Sequence, residues 1–276
     1  MELNAAETGL EVLDLRTDAA FAERSLHGRS IATRMAGLQR LSRSLLDSPE
    51  TVLQELVTAA VELCGADSAG ISVERENGSD AEFYKWVATA GVYSGFLGAI
   101  LPRYPSACGL CLHRGHAQHF TVTRKFFDIL GVEAPLVSDG ILLPWEAEGT
   151  RGPNFVMAHE RTAAFDVEDA QLMTMLADFA AMGYRQQKQQ ERRIAQERIA
   201  AAAQLANRLA HEINNLLQSM MNAAYLVMEG DASTDSRALG AELSSNIERL
   251  SGLVRELLAL PFAGAEVNQV SSSEVM

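Results

Sequence analysis

His211 is followed directly by Glu212 and, one helical turn on, by Asn215. An imidazole is a nucleophile and acid/base group near neutral pH; a neighbouring carboxylate can orient or deprotonate it, and an amide four residues away shares its helix face. Such a trio suits an approaching phosphoryl group, although a surface histidine on a polar helix also occurs with no chemistry attached. A second concentration of reactive side chains is Cys108-Gly109-Leu110-Cys111, with His113, His116 and His119 beyond it. Thiolates and imidazoles are zinc ligands, but this spacing is not a standard zinc pattern. A short helix from Ser106 to Arg114 would put Cys108 and Cys111 on one face, in the core or against a pocket. No metal site is expected. Phe83, Tyr84, Trp86, Tyr93, Phe96, Phe126, Phe127 and Trp145 supply aromatic rings, most of them for core packing. Trp86, Phe96, Cys108 and Cys111 are the candidate pocket residues for an unknown small molecule, and no particular cofactor is indicated. A stand-alone enzyme is not expected: no Ser-His-Asp order, nucleophile elbow, dinucleotide fingerprint or P-loop is present.

The elements that must position these residues follow from periodicity. Residues 1–30 carry scattered charge without sustained period and read as a flexible N-terminal segment. Ile31, Met35, Leu38, Leu41, Leu45 and Leu46 recur at helical spacing. Ser48-Pro49 ends that helix and starts another, whose stripe is Val52, Leu53, Leu56, Val57, Ala60 and Leu63 before Gly65. The period then changes: 68–74 (SAGISVE) and 83–90 (FYKWVATA) alternate as strands around a turn at 76–80. A loop-rich crossover, 91–115, precedes short strands at 119–122, 140–144 and 154–159. Residues 31–184 therefore form an α+β domain. Asp166 offers an N-cap, with Glu168 and Asp169 at the positive end of the next helix.

From Val167 to Glu229 there is no proline and one glycine, Gly183, which permits a helix of roughly 60 residues, about 90 Å long. Gly183 is a possible hinge or simply a tolerated glycine. The run Arg185–Arg193 (RQQKQQERR) is almost wholly polar, so 185–200 reads as a helical linker. Leu205, Leu209, Ile213, Leu216, Met220, Ala224 and Val227 then restore an apolar stripe, and His211 falls on the opposite face. Gly230–Thr234 breaks the helix. A second helix carries Leu239, Leu243, Ile247, Leu250, Val254 and Leu257 before Pro261. Two such helices enclose too little volume to be stable alone, so the hairpin 201–260 is expected to pair with a second copy as a dimeric four-helix bundle, and 261–276 to be a disordered tail.

A formal net charge of −13 would repel a nucleic-acid backbone, so nucleic acid is not an expected partner. No run of 18 apolar residues and no basic-then-apolar leader appears, which points away from a membrane and towards the cytoplasm. Three cysteines do not suggest a disulfide scaffold.

The segment LANRLAHEINNLLQ (205–218), followed by a second amphipathic helix, resembles the phosphoacceptor hairpin of sensor histidine kinases over about 203–260. The resemblance implies that His211 is the phosphorylated residue, that Glu212 assists, and that Asn215 helps position water when a response regulator is dephosphorylated. That family follows the hairpin with an ATP-binding domain, whereas 65 residues follow His211 here and their glycines stand singly; autophosphorylation from ATP is not expected. Residues 35–184 are similar to GAF domains in Ser106-Ala107-Cys108-Gly109, Leu142-Leu143-Pro144, Ala158-His159 and Phe165-Asp166-Val167-Glu168-Asp169. GAF domains take varied small molecules or none; the surroundings of Cys108 and Cys111 do not match a bilin attachment site. These resemblances imply a GAF-like antiparallel sheet flanked by helices, a long signalling helix and a dimeric bundle. The expected function is two-component signalling by a homodimer through a response regulator receiver domain, a separate histidine kinase, or both. The alternatives are a phosphotransfer intermediate, or a non-catalytic dimeric scaffold that competes for a partner.

Overall fold

The computed structural model describes residues 4–75, 77–229 and 236–258. The break expected at Gly230–Thr234, the stop at Pro261, the tail 261–276 and Glu76 of the first turn lie outside the described residues. The chain divides into two compact units, 1–189 and 190–276, with the division inside the polar run Arg185–Arg193.

The first unit is α+β. In chain order it holds α1 (Ala5–Thr8), β1 (Leu10–Asp14), α2 (Ala19–Ala22), α3 (Ile31–Asp47), α4 (Val52–Cys64), β2 (Ser68–Glu74), β3 (Tyr84–Gly91), a 3-10 turn (Val92–Phe96), β4 (Ile100–Leu101), α5 (Ala107–Arg114), β5 (Gln118–Val122), α6 (Arg124–Leu130), β6 (Val137–Ala147), β7 (Thr150–Ala158) and the start of α7 (Val167–Glu229). Seven strands form one sheet in the order β1-β5-β6-β7-β2-β3-β4, every pairing antiparallel. Its two faces carry two cores. One gathers α4, the first turns of α7 and inward residues such as Ile71, Ile141 and Val156; the other gathers the aromatic residues around α5 and α6.

Helix α4 buries the whole stripe from Val52 to Leu63 and closes on Gly65 in the left-handed conformation, φ +56°. Helix α3 is less regular than its apolar spacing suggests. Ile31, Met35 and Leu46 are exposed, while Gly37, Leu41 and Ser44 face inward. A Cβ on Gly37 would stand 2.7 Å from Leu63, so this glycine lets α3 lie directly on α4.

Residues 4–30, expected as part of a flexible N-terminal segment, are not a free lead-in. Residues 10–14 pair along β5 from Leu10↔Val122 to Asp14↔Gln118, and Leu10 and Phe21 are buried. The segment LEVLD is too short to announce itself as a strand; it becomes one because β5 offers an open edge.

The second unit contains the remainder of α7 and α8 (Ser236–Leu258). Its core is small: Leu209, Leu216 and Leu253 are buried, with Ile213 and Leu250 partly so. Two features of the expected stripes are corrected. Ala223, not Ala224, turns inward, which makes the buried spacing on α7 seven residues; and Ile247 and Val254 are exposed, Leu253 taking the inward position. Among the described residues, no helix is long and apolar enough to cross a membrane.

Candidate functional site

Two sites arise, one in each unit. In the first, the pocket depends on two irregularities in the sheet. The register of β2 against β3 shifts between Ile71 and Ser72, so that Ile71 faces Ala88 and Ser72 faces Trp86. The extra residue in β3, Val87, reverses the alternation. Tyr84 and Trp86 therefore project to the aromatic face while Ala88 and Ala90 project to the helical one. A second shift between Phe120 and Val122 brings Val137 of β6 to the aromatic face.

On that face lies an apolar cavity of about 360 Å³, partly open to solvent. Trp86 stacks on Tyr93 at 5.9 Å between ring centroids and meets Phe155 at 4.9 Å; Tyr93 and Phe96 lie 5.0 Å apart. The hydroxyl of Tyr93 donates to the carbonyl of Pro135, tying the 3-10 turn to the loop before β6. Nε1 of Trp86 is buried without a hydrogen-bond partner among the described residues.

Ser106 caps α5 through its hydroxyl, which accepts from the amide of Gly109 at 3.2 Å. Of the candidate pocket residues Trp86, Phe96 and Cys108 line the cavity; Cys111 does not, being buried with its Sγ 3.7 Å from the carbonyl of His116. The Cys108 thiol accepts from Ser72 Oγ at 3.4 Å, and burial pushes its pKa up to about 11; burial likewise pushes Cys111 well above the ordinary thiol range. Thiols held protonated are poor nucleophiles and poor metal ligands.

The histidines after Cys111 do not join the thiols. His116 meets Asp14 at 2.6 Å, and His119 is buried between Asp18 at 3.2 Å and Asp139 at 2.6 Å. Among the described residues the only group with metal-like proximity is His27, Asp166 and Asp169. Its carboxylates are already engaged: Arg29 and Arg34 pair with Asp169 at 2.9 and 2.6 Å, and His27 bonds Asp166 through both backbone and ring. Asp166 also caps α7, accepting from the amides of Glu168 and Asp169 at 2.9 and 3.0 Å.

This charged clasp was not legible from the chain. Arg24 donates to Asp139 at 2.8 Å and to the carbonyl of Phe165 at 2.9 Å, which ties residues 24–34, the sheet and the start of α7 together. Burial works against ionisation of Asp139 and Asp166, but hydrogen bonds from His119 and Arg24 in the first case, and from His27 in the second, hold both below the usual carboxylate range. Gly183, read as a possible hinge, sits where a Cβ would come within 2.7 Å of Val52. It is a close-packing position against α4.

In the second unit His211 is exposed on α7, and the amide nitrogen of Asn215 is 3.1 Å from its Nδ1. A nitrogen there donates to Nδ1 and leaves the ring proton on Nε2; only with the amide turned to present oxygen does Nδ1 keep its proton and Nε2 have a lone pair free to attack an electrophile. Glu212 is drawn to α8, where Arg249 donates to its carboxylate. His211, Glu212, Asn215, Arg249, Asn207 and Arg208 line one open groove. Two guanidinium groups beside an imidazole give it a chemistry suited to a phosphoryl anion.

No family model matches the chain, and no curated protein is similar to it. Among solved structures, it is similar to a phycoerythrobilin-bound GAF domain from a cyanobacterial phytochrome (14% identity, 58% of this chain and 98% of that one, TM-score 0.43). It is similar also to the GAF domain of a phosphoenolpyruvate-protein phosphotransferase from Coxiella burnetii (17%, 57% and 96%, TM-score 0.44). A third is the GAF domain of a protein described as a sensor histidine kinase from Pseudomonas syringae pv. tomato (19%, 60% and 94%, TM-score 0.40). At these identities and scores the neighbours register a likeness and nothing about activity. The sheet, its flanking helices and the cavity make the first unit an α+β domain built on one seven-stranded antiparallel sheet.

Proposed function

We propose that this protein is a two-component signalling protein in which a GAF-type sensory unit is followed by a dimeric histidine phosphoacceptor hairpin, with His211 as the accepting residue. The observation that carries this reading is the open groove in which His211, Asn215 and Arg208 of α7 come together with Arg249 of α8. Asn215 fixes the imidazole, the two arginines attract a phosphoryl group, and Glu212 becomes available as base once its ion pair with Arg249 opens.

A second copy is the natural completion of the hairpin. Among the described residues of this unit, three buried leucines and Ala223 make a poor core, whereas Met221, Tyr225, Ile247 and Val254 are exposed. Burial of such side chains stabilises by about 1.5–3 kcal/mol each, and closing two hairpins into four helices supplies it. The phosphoryl group would come from a separate histidine kinase or be exchanged with the aspartate of a response regulator receiver domain.

The test is intact-mass detection of phosphate on wild-type and His211→Ala protein, mixed with ATP alone, with histidine kinases, and with phosphorylated response regulators. Acid-labile phosphate on wild type only, and only with a partner, is the expected result. A non-catalytic scaffold is the second reading, favoured by the Glu212–Arg249 pair, which occupies the base. It predicts no phosphate under any pairing and partner binding that survives His211→Ala.

A further inference from the structure

We infer that the cavity of the first unit is a receptor site for a neutral, predominantly aromatic small molecule, and that charged ligands are excluded from it. This deepens the sensory reading above and rests on it, but its test reads binding alone and stands apart from any phosphorylation of His211.

The lining carries the inference. Among the described residues around the cavity there is no Asp, Glu, Lys, Arg or His. Cys108 and Tyr93 could ionise, but burial pushes both upward, so both stay neutral. A carboxylate, phosphate or ammonium entering here would shed its water and find no opposite charge, a loss that Coulomb attraction cannot return. Cyclic nucleotides and amino acids are disfavoured on that ground. Covalent attachment through Cys108 is disfavoured too, because a buried, protonated thiol is a weak nucleophile.

The walls favour rings. Trp86, Phe96, Phe120, Phe126, Phe127 and Phe155 all border the space, and offset-stacked or edge-to-face aromatic pairs gain beyond simple burial. Filled at the density of protein interiors, the cavity holds about 15 non-hydrogen atoms, a two- or three-ring compound. The mouth is apolar as well. Ile100, Ile129 and Val132 border the cavity yet stand 45%, 50% and 40% exposed, and water-exposed apolar groups of that size mark a site that gains from being covered.

The site is also placed to report. Phe155 and Met157 of β7 border the cavity, while Val156 and Ala158 of the same strand pack in the core that includes Leu172, Met173 and Leu176 of α7. A ligand that shifts β7 acts directly on the helix that leaves the unit.

The experiment uses the full chain and two fluorescent probes sharing one ring skeleton: N-phenyl-1-naphthylamine, which is neutral, and 1-anilinonaphthalene-8-sulfonate, which is anionic. Ala134→Trp and Ala99→Trp each place a ring in the half-exposed wall at the mouth rather than in the packed core. The neutral probe is expected to bind one per chain, at least tenfold tighter than the anionic one. Whichever of the two variants keeps the wild-type circular dichroism should weaken it tenfold or more. Equal or tighter binding of the sulfonate, no binding of the neutral probe, or binding unchanged in a folded variant would each overturn the inference.

Discussion

Replacing Arg24 with methionine removes the cation that joins the N-terminal segment to the sheet and to α7. Its side chain donates to both carboxylate oxygens of Asp139 (3.1 and 2.8 Å), to the carbonyl of Phe165 (2.9 Å), and lies 4.5 Å from the Phe21 ring centroid. Asp139 is 1% exposed, so its charge cannot recover its hydration. Breaking one side of a buried pair costs about 3–5 kcal/mol. Here His119 at 2.6 Å and the amide of Phe165 at 3.1 Å remain on the carboxylate, which brings the expected loss to roughly 2–3 kcal/mol. With a urea dependence of about 2 kcal/mol per molar, the midpoint should fall by roughly 1–1.5 M.

Both tryptophans, Trp86 and Trp145, lie in the first unit, so intrinsic fluorescence follows its unfolding without interference from the hairpin. The loss should also depend on pH. The folded-state pKa of Asp139 is held below its ordinary value. Its contribution is therefore fully present above the unfolded carboxylate pKa of about 3.9 and disappears as pH falls through the lower folded value. The gap between wild type and Arg24→Met should be constant from pH 7 to 5 and close below about pH 4. A midpoint shift under roughly 0.3 M at pH 7 would refute the reasoning, because it would mean that residues 19–30 are not part of the folded unit.

Three further outcomes are expected. Gly183→Val drives a side chain into Val52, which a Cβ alone would approach to 2.7 Å; a cost of about 1–3 kcal/mol should appear in thermal unfolding of the tryptophan signal, and an unchanged midpoint would restore the hinge reading. All three cysteines are buried and unpaired, so a thiol-specific chromogenic reagent at pH 8 should titrate none of them in the folded chain and three after denaturation; a fast-reacting native thiol would contradict the protonated state assigned to Cys108. Arg249→Ala releases Glu212 from its ion pair; if His211 exchanges phosphoryl groups, transfer should change several-fold while the exposed pair itself contributes less than about 1 kcal/mol to stability. A rate identical to wild type would show that the Glu212–Arg249 contact has no part in the chemistry.

How much of this could be seen in the chain alone divides along the range of the interactions. Helix α4, with its six-residue apolar stripe and Gly65 stop, strands β2 and β3, the short helix α5 and the Asp166 cap of α7 are written in near neighbours. So are the unbroken length of α7 and the exposure of His211 beside Asn215, because period and capping act within a turn or two. The rest depends on partners far away along the chain. LEVLD becomes a strand only against β5, and Arg24 and Asp139 find each other across 115 positions. No local pattern marks Val87 as the extra residue, since FYKWVATA alternates cleanly as an unbroken strand with Tyr84, Trp86, Ala88 and Ala90 on one face, and only the pairing with β2 separates them. Apolar spacing likewise told that α3 has a buried face but not which one: Gly37 decided it by allowing contact with Leu63, leaving Ile31 and Met35 in solvent. Local spacing determined what the elements are and that His211 sits on an exposed helix face; only non-local pairing and close packing decided which side chains enclose a cavity and which carboxylates are buried against a cation.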